Sequence, residues 1–124
     1  MSKKTAYPAF RLLDTWINYD WSNGLQIEPL EDFTEIQVET RNSVYEITVI
    51  GGRQREIVVR GGRFFPKKTP AHLAGSSIGG GGFLKVGGIY AGFSMEIVAH
   101  GKTIITTAVQ TIHLYSSPIR AIPA

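Results

Sequence analysis

Polar and apolar residues alternate with a period of two through much of the chain. Ile36 and Val38 are interleaved with Glu35, Gln37 and Glu39, the pattern of a strand with one face in a core and one in water. Tyr45, Ile47 and Val49 continue it against Glu46 and Thr48. Arg41-Asn42-Ser43 between the two runs fits either a turn or a bulge in one long bent strand. Gly51-Gly52 supplies a tight hairpin into a returning strand over 55–60. Further on, Ile89, Ala91, Phe93, Met95 and Ile97 alternate with Tyr90, Gly92, Ser94, Glu96 and Val98, the clearest strand pattern in the sequence. His100-Gly101-Lys102 then turns the chain into residues 103–114, a run rich in Thr, Ile and Val that reads as one or two strands.

Helical spacing occurs only in residues 10–22, where Phe10, Leu13, Ile17 and Trp21 share a face thickened by Leu12, Trp16 and Tyr19. Asn23-Gly24 is a stop signal, so the sequence predicts a short helix there, with its aromatics lidding the core. Residues 1–9 and 115–124 read as tails, the latter carrying Pro118 and Pro123. Residues 66–82 hold two prolines and five glycines with little periodicity, which predicts a long loop of the kind reserved for function. Six to seven short strands without βαβ alternation predict one all-β domain, a small antiparallel barrel or sandwich with its core in 34–114.

Composition agrees with a folded domain, since 43% of residues are hydrophobic and 19% charged. With no cysteine, disulfides and thiolate metal sites are excluded. No apolar run approaches the roughly 20 residues of a membrane span, and none forms a signal-peptide core, so the expected setting is cytoplasmic with no membrane contact.

The net charge of +3 is unevenly spread. Residues 1–50 carry four basic against eight acidic side chains, net −4, and the remainder nine against two, net +7. Such asymmetry marks either an anion-binding surface or two halves that pair with each other. Much of the positive charge coincides with glycine in residues 51–88, which hold 11 of the 14 glycines. Arg53, Arg55, Arg60, Arg63, Lys67 and Lys68 are the candidate contacts to an acidic partner or nucleic acid. A period of two places Arg53 and Arg55 on the face opposite Arg60, so these residues do not form one stripe.

Known reaction signatures fail on spacing. Gly75, Ser76, Ser77, Gly79, Gly80, Gly81 and Gly82 suggest an anion-binding nest, but Gly81 and Gly82 stand where a phosphate loop needs Lys and then Ser or Thr. No set of glycines fits G-x-G-x-x-G, and a strand follows where both motifs need a helix. Glu31, Asp32 and Glu35 read as solvated acids rather than a catalytic pair. His72, His100 and His113 lack metal-ligand spacing, and no G-x-S-x-G elbow occurs. No cofactor, metal or catalytic residue is therefore expected.

Arg41-Asn42-Ser43-Val44-Tyr45-Glu46-Ile47, Gly61-Gly62-Arg63-Phe64-Phe65-Pro66 and Gly82-Phe83-Leu84-Lys85-Val86-Gly87 together resemble a type of short bacterial β-protein with no assigned activity. The resemblance covers about residues 34–112 and leaves the N-terminal aromatic segment outside. It implies a bacterial source and a compact β fold, and it brings no site residue. The sequence thus points to a non-enzymatic interaction or assembly module presenting the glycine-rich 66–82 loop to a protein partner or to copies of itself. The alternative is a small β-barrel binding nucleic acid or another anion through residues 53–68.

Overall fold

A computed structural model describes residues 21–115. The helix expected over 10–22 falls almost wholly outside them, and its last residues, Trp21 and Ser22, lie in a turn. The described chain is all β, with nine strands: β1 (Gly24–Gln26), β2 (Glu35–Thr40), β3 (Val44–Gly51), β4 (Glu56–Gly61), β5 (Phe65–Ser77), β6 (Leu84–Val86), β7 (Gly88–Tyr90), β8 (Ser94–Ala99) and β9 (Lys102–Tyr115). No described helix is long and apolar enough to cross a membrane.

Seven strands form one antiparallel sheet in the order β4-β3-β2-β9-β8-β5-β6, and β1 pairs separately with β7. Because β4 also pairs with β5, the circuit β2-β3-β4-β5-β8-β9 closes on itself as a six-stranded barrel. Closure removes most of the free edges an open sheet would leave.

The alternation read from the sequence sets the inside of this barrel. Ile36, Val38, Tyr45, Ile47, Val49, Ile57 and Val59 are buried with Phe65, Leu73, Met95 and Ile97 in one core. Glu35, Gln37, Glu46 and Arg60 stand on the outward parity of the same strands. Arg41-Asn42-Ser43 resolves as a turn, with Thr40 N–H donating to the Ser43 carbonyl at 2.8 Å. His100 and Gly101, at φ of 53° and 75°, make the two-residue hairpin between β8 and β9.

Two readings need correction. The clear alternation from Ile89 to Val98 is two strands, because a turn at 91–93 separates β7 from β8 while the buried parity carries across it. More consequentially, the expected 66–82 loop is mostly the 13-residue strand β5. Gly75, Ser76 and Ser77 are buried in that strand, and only residues 78–83 form a connection. Gly75 sits at φ +150°, where a Cβ would lie 2.2 Å from the Lys85 carbonyl oxygen, so its glycine lets β6 close on β5. Ser76 ties the β1–β7 ribbon to the barrel: its hydroxyl donates to the Gly88 carbonyl at 2.8 Å and accepts from Tyr90 N–H at 3.2 Å.

Candidate functional site

The six basic candidates do not assemble. Arg53 lies in the single 3-10 turn (Gly52–Gln54) between β3 and β4, and Arg55 follows it in the left-handed region at φ 59°. Arg63 occupies the turn at the other end of β4, about 20 Å away for a six-residue strand. Arg60, the next-to-last residue of β4, donates from Nη2 to Glu46 Oε1 at 2.5 Å, an exposed pair joining the acidic and basic halves of the sequence. Lys68 shares a small depression of about 220 Å³ with Glu35, Glu46, Arg60 and Tyr115 on the outer face of β2–β4. Two acids on β2 and β3 balance two bases on β4 and β5 there, so it is not an anion cradle. Lys85, in β6, places its Nζ 4.8 Å above the Trp21 ring, which stacks on Phe93 at 5.3 Å and meets Tyr90 edge-on.

The glycine connection is equally divided. Gly79 and Gly82 face open space, whereas Gly80 packs against Ile105 of β9. Ile105 and Phe64, both exposed, border an open depression of about 770 Å³ at one end of the barrel together with Asn42, Arg63 and Thr107. Among the described residues no three His, Asp or Glu side chains converge as metal ligands would.

What the fold does assemble is a set of strand edges with no partner among the described residues. β5 and β9 are longer than their neighbours, so each is paired on both edges over only part of its length. β5 pairs with β4 from Phe65 to His72, but β8 reaches it only from His72 onward. The β8-side edge of residues 65–71 is left free. β9 pairs with β8 from Lys102 to Ala108 and with β2 from Val109 to Tyr115. Among the described residues its first half is therefore free toward β2, and its second half is free on the β8 side beyond Val109, which bonds Gly92 and Phe93.

These edges differ in chemistry. Leu73 N–H donates to the carbonyl of Arg55, just before β4, so by strand alternation the backbone of residues 70, 68 and 66 points to the free edge of β5. Two of the three are prolines, which have no N–H, and Lys67 and Lys68 stand exposed between them. The first half of β9 begins at Lys102 and is interrupted by a bulge, where Thr106 Oγ1 accepts from Met95 N–H at 2.9 Å and donates to the Thr107 carbonyl at 2.7 Å.

Beyond the irregularity at Gln110, where Thr40 pairs with Val109 and Glu39 with Thr111, no such device protects the second half of β9 among the described residues. Residues 110–114 read Gln-Thr-Ile-His-Leu, with no proline, lysine, arginine or acid. They line one wall of a slot of about 430 Å³ whose other wall is Gly24 and Leu25 of β1, with Ala91 also lining it. Leu114 and Tyr115, 53% and 49% exposed, extend apolar surface from the end of that edge.

Sequence reasoning missed this edge because it placed the functional element in 66–82. One signal was available: Pro66 and Pro70 are four residues apart and so share one side of any strand, the mark of an edge. No protein-family model, curated protein or solved structure matches the chain.

Proposed function

We propose that the protein is a non-enzymatic interaction module that receives an extended segment of a protein partner along the second half of β9. The observation that carries this reading is the contrast between one unguarded edge and two guarded ones in the same barrel. An unpaired strand offers a row of backbone donors and acceptors that any extended chain can complete. Where pairing is harmful, proline, lysine or a bulge blocks it, and this chain uses all three at its other free edges.

The test is a selection of random displayed peptides on the immobilised protein, run in parallel on a variant with the edge guarded by Gln110→Lys and His113→Lys. Both positions are exposed, so the variant is expected to keep the native circular dichroism spectrum. Enrichment on the native protein and its loss on the variant is the expected result. Equal enrichment on both would place binding elsewhere. Salt-sensitive binding of a single-stranded oligonucleotide, abolished by Arg63→Ala with Lys67→Ala and Lys68→Ala, would instead favour the anion-binding reading.

A further inference from the structure

We infer that the segment received at β9 is a lone strand with an uncharged core of about five residues, rather than the edge of another folded sheet or of a second copy of this chain. The inference rests on the interaction-module reading and specifies its partner.

The first ground is the wall opposite β9. The slot is bounded on its far side by β1, which is hydrogen-bonded to β7 in register from Gly24↔Tyr90 to Gln26↔Gly88. That ribbon is fixed to the barrel through Ser76 and through Gly87 N–H donating to the Ala74 carbonyl of β5 at 2.9 Å. A strand entering beside β9 lies in the slot, about 4.8 Å from β9, and a strand paired to its outer side would be on the side that β1 walls. A single extended segment meets no such obstacle. Pairing of two β9 edges about a two-fold axis would carry each copy's β2 into the other copy's ribbon.

The second ground is charge. Leu25, Ala91, Ile112 and Leu114 are apolar, and the other lining side chains are neutral amides, a hydroxyl and a histidine. No carboxylate, lysine or arginine lines the slot, so a charged residue docked there would lose water without gaining a counter-charge. The third ground is length. The five lining positions of β9, at about 3.4 Å per residue, span about 17 Å and match a partner core of the same number of residues. With side chains pointing alternately toward the barrel and away, the inward positions favour β-branched or apolar groups.

The probe is a capped peptide, Thr-Val-Thr-Ile-Thr-Val-Thr, titrated into the full chain by calorimetry. Companion peptides carry Glu or Lys in place of the central Ile, or N-methyl groups on one or the other alternate set of amides. We expect the neutral peptide to bind, and the Glu and Lys peptides to bind at least tenfold more weakly. One N-methylated set should lose binding at least tenfold, because it removes the donors facing β9. Charged peptides within twofold of the neutral one would overturn the uncharged core and leave the interaction module standing. A native dimer in sedimentation velocity that the Gln110→Lys, His113→Lys variant abolishes would overturn the lone strand in favour of a second copy. Undiminished binding of both N-methylated peptides, or no binding by any peptide together with a monomer, would overturn the strand-receiving reading itself.

Discussion

β5 and β9 are the two longest strands, of 13 and 14 residues, and both outrun a neighbour. They treat the resulting exposed edge in opposite ways. β5 spends its overhang on Pro66, Lys67, Lys68 and Pro70, so its free side presents few donors and two charges. β9 spends the corresponding stretch on Gln110, Thr111, Ile112, His113 and Leu114, whose amides face alternately β2 and the open side, and none of which carries a charge that repels a partner strand. In one small barrel, guarding is available and is applied selectively. On the proposed reading, the difference marks the β9 edge rather than the β5 edge as the one that receives a partner.

Four experiments probe the comparison, in descending order of expected effect. The largest concerns what anchors β5 so that only its first half overhangs. Gly75→Ala drives a Cβ into the Lys85 carbonyl at positive φ and should cost about 3 kcal/mol or more in urea denaturation, whereas Gly82→Ala, facing open space, should change stability by less than about 0.5 kcal/mol. If the two behave alike, β6 does not hold β5 as described. Next, Ser76→Ala leaves the buried Tyr90 N–H and Gly88 carbonyl without their partner and should cost about 1–3 kcal/mol. It should also weaken peptide binding, because the ribbon walling the slot loses a tether.

Thr106→Val removes the acceptor of the Met95 N–H at the β9 bulge, and a loss of about 1–2 kcal/mol is expected by thermal or chemical denaturation. A neutral result would mean the bulge does not depend on this hydroxyl. Smallest in stability, yet sharpest for the comparison, is removal of the guard from β5 by Pro70→Val with Lys67→Thr and Lys68→Thr. These exposed changes should shift stability by about 0.5 kcal/mol or less, and light scattering should report self-association absent from the native protein. A monodisperse variant would show that proline and lysine are not what keeps the β5 edge unpaired.

Much of the barrel was legible in the sequence where one face is wet and the other buried. Ile36 to Glu39 and Tyr45 to Val49 announce their strands because each polar residue points outward. The second half of β5 was not legible for the opposite reason: Gly75, Ser76 and Ser77 are covered on both sides, so no alternation marks them, and small polar residues resemble a loop. Its first half was hidden by the prolines that guard it. The turn at 91–93 escaped notice because burial parity runs straight through Ala91, Gly92 and Phe93. The β9 edge is a property of topology. That residues 110–115 lose β8 just where they gain β2 follows from how far each strand reaches, and residue type does not encode that reach.

The account turns on residues 110–115 being the edge a partner completes. Amide hydrogen exchange followed by NMR, with and without the neutral peptide, reads this directly. The expected result is added protection at alternate amides of residues 110–115, with no change at Lys67, Lys68 and Thr69. Protection at the β5 edge, or in the 78–83 connection with residues 110–115 unaffected, would contradict it.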